Sequence, residues 1–516
     1  MEAGNDGCID HHGEELPELS KSATKMDYER LLNTPLPRFE GNYPGAPLWM
    51  EFGYFCLRRT FANIFRTFEV TGHEKIPSDR GTLCAAWHTN GLLDPISILL
   101  THPKKFVVGG RHDLVTRPLF GWWARKFAAQ PVVRKAELLR GGCSEEEAAH
   151  LNGRSLLNLA TGISAGFGCA LFPEGTSHSE SHLIRLRTGP MRTVLAAVAI
   201  AKAQNVKAPQ MIPIGLHYRV RHLYRTDAWV EYGDPISIPD EGLPQELIEA
   251  VSEGNWAEPP AHNVTTLRDS LQVKLSPMTP DSPTFSDYRA EHLVAHLRAR
   301  KEGKPLTTWR EEVLAAREVK TNPPSKEAGI LAKSIGKEMY DNHLDGRDIS
   351  PNGLGLRSIS PIGAITDSVK LIAFLMFLPL TIFSLTPQIL LGRLLGDSTD
   401  EGMDARTTYQ FLAGMFGSLI IWPIMASVLV FLGIVFQSEI HQVIGVDWIT
   451  LLGETGVMKT VSFIIAYIAS LILFLISANT FSFGWDVFVD LRKFTSRKRI
   501  GRRIAPELEK LLSLLE

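Results

Sequence analysis

The hydrophobic positions of this 516-residue chain change their period along its length, and the changes divide it into regions. Residues 1–43 are polar and acid-rich, with neither a basic leader nor an apolar core, and predict a disordered tail rather than a signal or transit peptide. From Pro44 to Phe68 the texture turns aromatic: Trp49, Phe52, Tyr54, Phe55, Phe61 and Phe65 are interrupted by Arg58, Arg59 and Arg66. That mixture predicts a helix lying in a membrane interface. Short apolar runs then alternate with helical patterns. Phe68–Gly72, Thr82–Trp87, Phe106–Val108, Val132–Val133, Cys169–Phe172, Met211–Gly215 and Trp229–Tyr232 read as strands. Helices are expected from Leu92, over Arg111–Phe127, from a Ser144 cap to about Ala165, and over Thr188–Ala203. Strands alternating with helices predict an α/β domain over 44–240, with a mainly parallel sheet flanked by helices and closed by Asp234-Pro235.

Residues 241–360 are charged and punctuated by proline, with helical stretches at Phe285–Ala299 and Thr308–Arg317, and predict a helical extension. A membrane region, 361–491, follows. Leu371–Gly392, Thr407–Ser438 and Thr460–Trp485 contain no charged residue, and each is long enough to cross a bilayer. Arg492–Arg503 then carries seven Lys or Arg residues and predicts a basic cytoplasmic tail, 492–516. Three crossings would put that tail and the α/β domain on opposite sides. The first run contains Pro379 and Pro387, which would break a spanning helix twice. The expectation is therefore two spans, with Leu371–Gly392 re-entrant or interfacial beside the site.

A formal charge of −2 argues against nucleic acid as the main partner. The cysteines, Cys8, Cys56, Cys84, Cys143 and Cys169, are scattered and lack metal-ligand spacing, which fits reduced thiols in a cytosol-facing domain. His292 and His296 lie four apart without a third ligand, so a solvated helix face is expected there and no metal site.

Candidate chemistry gathers at two strand ends. Thr82–Trp87 stops at His88, and Asn90-Gly91 makes a turn before the helix that carries Asp94. A carboxylate one turn on can fix the imidazole tautomer and leave the other nitrogen as a base. Cys169–Phe172 stops at Pro173-Glu174-Gly175-Thr176, where backbone N–H groups and a carboxylate suit a substrate with hydroxyls and a phosphate.

Together, His88-Thr89-Asn90-Gly91-Leu92-Leu93-Asp94 and Phe172-Pro173-Glu174-Gly175-Thr176 resemble the glycerolipid acyltransferases. Gln130-Pro131-Val132-Val133-Arg134 is similar to that family's second block, and Met211-Ile212-Pro213-Ile214-Gly215 to its fourth. Four blocks in order over about 130 residues make a specific pattern, and the resemblance covers roughly residues 45–240. Five residues separate His88 from Asp94, where the family usually has four; this spacing, with Asn90, resembles the fungal-type glycerol-3-phosphate and dihydroxyacetone-phosphate branch. Arg187-Thr188-Gly189 stands where Lys-x-Gly is usual. The resemblance implies a membrane-bound O-acyltransferase of phospholipid biosynthesis, with the donor acyl-CoA or acyl carrier protein and no other cofactor. The acceptor would be glycerol-3-phosphate, dihydroxyacetone phosphate or lysophosphatidate. His88 would be the base and Asp94 its orienting partner. Arg134 and Arg187 would hold phosphate, with Glu174, Gly175 and Thr176 against the glycerol. The active site would face the cytosol, at the endoplasmic reticulum or a bacterial inner membrane. The alternative is a catalytically inactive lipid-binding membrane protein on the same fold. A multi-pass transporter is disfavoured by only three apolar runs, free of charge.

Overall fold

The computed structural model describes residues 26–133, 143–238, 242–358, 360–398 and 403–515. The first described element, α1 (Tyr28–Leu32), lies inside the expected disordered tail; it is ordered because Leu31 is buried against Val133, Ala148 and Leu151. Helix α2 (Pro47–Ile64) runs directly into β1 (Phe65–Thr71), followed by β2 (Thr82–Ala86), α3 (Leu93–Thr101), β3 (Phe106–Val107) and β4 (Gly109–Arg111). The single helix expected over Arg111–Phe127 is two, α4 (His112–Thr116) and α5 (Pro118–Lys126). Arg117, between them, is extended (ψ 147°) because the ring of Pro118 disfavours a helical residue before it.

The chain continues through β5 (Gln130–Val132), α6 (Glu145–Ser164), β6 (Gly168–Leu171), α7 (Gly189–Ala203), β7 (Gln210–Tyr218), β8 (Thr226–Tyr232) and β9 (Ile236–Ser237). The Ser144–Glu147 capping box starts α6. The main sheet has the order β1-β8-β7-β2-β6-β3, with β9 against β7. It is parallel at β1–β8, β2–β6, β2–β7 and β3–β6, and antiparallel only where β7 meets β8 and β9. Strand β2 is central and wholly buried, as expected of a parallel strand covered on both faces. One face packs on α6 and α7 through Ile163, Met191, Val194 and Val198, the other on α3 and Trp87. The expected strand at Val132–Val133 is β5, and it pairs outside this sheet, with β4 alone.

Nor does the domain end at 240. Helices α8 (Gln245–Ser252) and α9 (Ala261–Leu275) place Leu247, Leu267 and Leu271 in the same core as α7, and the core extends to Met278. The second core is made by α10 (Phe285–Lys301), α11 (Trp309–Thr321) and α12 (Lys326–Asp341). His292 and His296 face inward rather than to solvent. His292 stacks on Trp309 at 5.0 Å, and His296 meets Glu312 at 3.0 Å.

The apolar third forms α13 (Pro361–Asp397), α14 (Met403–Val435), α15 (Gln437–Ile444) and α16 (Gly456–Leu514). Three of these, α13, α14 and α16, are long and apolar enough to cross a membrane. The expected basic tail is not separate. It is the continuation of the 59-residue α16, whose Ile500, Ile504, Leu508 and Leu511 complete the second core. Lys493 Nζ donates to Asp345 (2.7 Å) and Asp348 (3.0 Å), and Arg497 to Asp348 (2.5 Å).

Helix α13 is unbroken, so Pro379 and Pro387 do not end it. Its contacts nevertheless reverse direction along its length. The first half descends α16: Phe374 lies on Gly484, Thr381 and Ser384 on Ser477, and Leu385 clusters with Phe474. The second half climbs α14: Gln388 lies on Gly417, Gly392 on Ala413 and Gly396 on Arg406. Helices α14 and α16 are antiparallel, with Trp422 against Phe474 deep in the pair, and with Gly414 and Ser482 both against the end of α2. Both ends of α13 therefore lie at the level of the α/β domain. Its middle reaches only from Gly484 to Phe474, about 15 Å along α16 against a hydrocarbon core of about 30 Å. The two prolines lie where the axis must turn, and each removes one helical hydrogen bond.

Cysteines at Ser360 and Ser398, exposed at the two ends of α13, should be labelled by an impermeant thiol reagent from one side of sealed vesicles, and a cysteine at Ser438 from the other. Cys8 and Cys143 are replaced by serine for this, since Cys56, Cys84 and Cys169 are buried. Labelling of Ser360→Cys and Ser398→Cys from opposite sides would show that α13 spans. The second core should also be acid-sensitive. Burial holds the pKa of His292 down to about 3, so between pH 6.5 and 3 the unfolded chain binds a proton that the folded chain refuses. Stability then falls with pH across that window, by about 1.4 kcal/mol per unit. Denaturant titrations at pH 7 and pH 5 should show the loss, and His292→Leu should shrink it.

Candidate active site

Strand β2 delivers the site. It runs through the small buried residues Cys84, Ala85 and Ala86, and ends at Trp87, whose Nε1 donates to Leu216 O on β7 (3.0 Å). His88 follows at the carboxyl end of the sheet, where parallel α/β folds place their ligands. Gly91 takes a positive φ of 46° to complete the turn into α3.

The five-residue spacing closes well. His88 Nδ1 lies 2.9 Å from Asp94 Oδ2, and the same oxygen accepts from Thr89 N (2.8 Å) and Asn90 N (2.7 Å). The Asp94 side chain is fully buried, in the first turn of α3, while that of His88 keeps 19% of its surface. An ionised Asp94 can only accept, so Nδ1 carries the proton and a neutral ring presents Nε2 as a lone pair. The ring stacks on Phe172 at 4.1 Å between centroids. Tyr218, from β7, approaches Asp94 from below, its hydroxyl 3.2 Å from Ser97 Oγ; burial and then the charge of Asp94 raise its pKa well above the ordinary value.

Glu174 sits beside this pair but not as a free ligand. Its side chain is fully buried. Oε2 accepts from His88 N (2.7 Å), and Oε1 from Ile184 N (3.1 Å) and His178 Nε2 (2.8 Å). Glu174 thus fixes the His88 backbone, and three of its roughly four acceptor positions are taken, which leaves at most one on Oε2 for the expected substrate hydroxyl. His178 Nδ1 accepts from Glu180 N (3.1 Å), which leaves the imidazole proton on Nε2, towards Glu174.

Gly175 has φ 75°, and a Cβ at that position would meet Arg187 Cγ at 3.4 Å and nothing else within 4 Å, so the glycine opens a gap in front of the turn. Arg187 N donates to Pro173 O (2.5 Å), which brings the arginine to the same mouth, and Thr176 Oγ1 donates to Ser177 O (3.3 Å). Thus His88, Asp94, Glu174, Gly175, Thr176 and Arg187 come together. Arg134 lies outside the described residues; the strand that leads to it, β5, pairs with β4, whose Gly109 packs near Leu171 at the end of β6. Arg111 is engaged in a two-point ion pair with Asp113, at 2.9 Å for each bond, and Arg125 donates to Val115 O (2.6 Å).

Two residues escaped the sequence reading. His178 had a legible signal, four residues after Glu174. Arg221 had none: it lies on the β7–β8 loop and donates to Thr89 O (2.9 Å), His178 O (2.7 Å) and Ser179 Oγ (2.6 Å), tying the two strand-end turns together.

Residues 67–217 match the sequence model of the acyltransferase family. The chain is similar to two proteins of Saccharomyces cerevisiae. Glycerol-3-phosphate O-acyltransferase 1 is 32% identical over 132 residues, 25% of this chain and 15% of that protein. Glycerol-3-phosphate O-acyltransferase 2 is 30% identical over 119 residues, 23% of this chain and 14% of that protein. The chain therefore spans about one-seventh of the length of these curated relatives. Among solved structures, the 1-acyl-sn-glycerophosphate (LPA) acyltransferase PlsC of Thermotoga maritima is similar over 43% of this chain and 80% of its own, at 17% identity and a TM-score of 0.28.

Glu174→Gln is expected to destabilise the fold by about 1–3 kcal/mol, because an amide NH₂ must then face one of three buried donors. The melting temperature measures this. An unchanged value would return Glu174 to a substrate-facing role.

Proposed function

We propose that this chain, a glycerolipid acyltransferase of the fungal glycerol-3-phosphate type through its residues 67–217, moves a fatty acyl group from a thioester to a hydroxyl of a phosphorylated glycerol acceptor. The donor is acyl-CoA or acyl carrier protein. The acceptor is glycerol-3-phosphate, dihydroxyacetone phosphate or lysophosphatidate. The observation that carries the reading is the 2.9 Å contact of His88 Nδ1 with buried Asp94, which leaves Nε2 free at a partly open mouth.

His88 Nε2 takes the acceptor hydroxyl proton as the oxygen attacks the thioester carbonyl. The ring becomes an imidazolium, stabilised by the Asp94 carboxylate. When the tetrahedral intermediate collapses, the C–S bond breaks and the thiolate takes that proton, so the base is restored and an ester and a free thiol are the products. Glu174 contributes by fixing the backbone of His88. Gly175 gives the acceptor room, with Thr176 at its side. Arg187 and Arg134 supply cations for the acceptor phosphate, through charge-assisted hydrogen bonds. A thioester is already activated, so base catalysis and positioning suffice. The α14 and α16 helices hold the site at a bilayer, where long-chain donors and lipid products partition, and the site faces the cytosol.

The test is the full chain in vesicles with labelled acyl-CoA and each acceptor in turn. His88→Ala should lower kcat roughly 10²–10⁴-fold while the melting temperature holds, the usual scale of general-base catalysis. Asp94→Asn should also be severely impaired, since the carboxylate charge is lost. A His88→Ala enzyme retaining more than about a tenth of the rate would remove His88 as the base. Lipid binding without transfer to any acceptor would leave an inactive scaffold.

A further inference from the structure

We infer that the second turn of the membrane helix α14 belongs to the catalytic centre, with Thr407 and Thr408 as positioning residues that hold the His88 turn through Asn90 and Leu92. The inference rests on the acyl-transfer reading of that centre. Asn90 is 1% exposed, and its polar groups all have tasks. Its N–H is one of the three donors on Asp94 Oδ2, at 2.7 Å, and its Nδ2 donates to Arg221 O at 3.3 Å. Its Oδ1 accepts from Thr407 Oγ1 at 2.6 Å, across 317 positions of sequence. One residue further on, Thr408 Oγ1 accepts from Leu92 N at 3.0 Å. Leu92 caps α3, and the N–H groups at a helix start have no partner within the helix.

The contact continues one and two turns along α14. Phe411, fully buried, and Met415 pack in one cluster with Leu93 and Ile96 of α3. Positions 407, 408, 411 and 415 share a helix face, so a single face of α14 supplies two hydroxyls to the turn and two apolar side chains to the helix behind it. The second half of α13 braces that turn of α14 from its other side, with Gly396 against Arg406.

The physical consequence follows from burial. Removing the Thr407 hydroxyl leaves the Asn90 carbonyl oxygen buried without a donor. Any shift of Asn90 to recover one also moves its N–H from Asp94, and with it the carboxylate that aims His88. The helix does not touch reacting atoms on this account. It sets the angle and tautomer of a base that does, so its loss should appear in turnover rather than in substrate affinity.

The full chain in phosphatidylcholine vesicles, with acyl-CoA and whichever acceptor the wild type uses best, provides the test. T407V/T408V should lower kcat about tenfold, with KM for both substrates within about twofold. T407S/T408S keeps both hydroxyls and should restore kcat to within about twofold. A valine variant at the wild-type kcat, or a serine variant as impaired as the valine one, would overturn the inference. A second readout needs no turnover: carbethoxylation of His88 by diethyl pyrocarbonate, followed by peptide mass spectrometry. Its rate should change severalfold in the valine variant and stay at the wild-type value in the serine variant; equal rates in all three chains would also overturn it. A wild type that transfers no acyl group, but whose His88 responds in this way, would refute the activity and leave the coupling standing.

Discussion

Asp94 Oδ2 accepts from His88 Nδ1, Thr89 N and Asn90 N, and a buried carboxylate keeps its charge only where such donors replace water. This one oxygen folds the strand-end turn around itself. It orients the imidazole, consumes two backbone donors ahead of α3, and places a negative charge in the first turn of that helix, where the dipole favours it. Glu174 repeats the device from the neighbouring strand, with three donors on one carboxylate, one of them the N–H of His88. The two acids thus grip His88 from both sides. The ring is held while its outer nitrogen stays available.

The rest of the molecule keeps β2, β6 and β7 in the register that this grip requires. Arg219, at the end of β7, is the bridge to the helical extension. It pairs with Asp227 at 2.8 Å and with Glu312, and its guanidinium lies 4.4 Å from the Trp309 ring. Arg347 pairs with Asp227 and Asp345, both at 2.9 Å, and Asp345 in turn accepts from Lys493 of α16. Buried pairs of this kind add little net stability, because desolvation offsets their attraction. They penalise any mismatched docking heavily, since one charge would be left unpaired. The network therefore fixes which surfaces meet: α/β domain, extension and the last helix in one arrangement.

That arrangement has a consequence for the membrane helices. Arg225 holds Asp486 through two bonds of 2.9 and 2.8 Å, and Arg66 holds Asp490, so α16 passes the α/β domain at a fixed point. The first half of α16 lies in the apolar bundle, and α14, packed beside it, begins at the His88 turn. The apolar third is thus built onto the α/β domain through these contacts rather than tethered to it, and α13, bent against α16 and α14, ends beside the site.

Sequence alone determined what depends on local pattern. The alternation of buried runs and helical periods gave the α/β class, and the Asn90-Gly91 turn after His88 marked the strand end. The Ser144 and Glu147 side chains announced α6, and freedom from charge marked the three apolar runs. Local pairing also placed Asp94 within reach of His88, since a turn of that length can close in few ways. What sequence could not decide was where side chains of equal chemistry would find partners. Glu174 read as a ligand because its competitors for hydrogen bonds, His88 N and Ile184 N, are backbone groups that a sequence does not display. Pro387 read as a helix break because the packing of the next residue, Gln388, against Gly417 of α14 lies outside the local window. The basic run from Arg492 read as a tail because Asp345 and Asp348, which pair with its Lys493 and Arg497, lie about 150 residues earlier. Thr407 and Arg221 carry no motif at all. Their importance arises only from tertiary structure, because a hydrogen bond is a property of two positions in space, and the chain brings these together across 317 residues for Thr407 and 132 for Arg221.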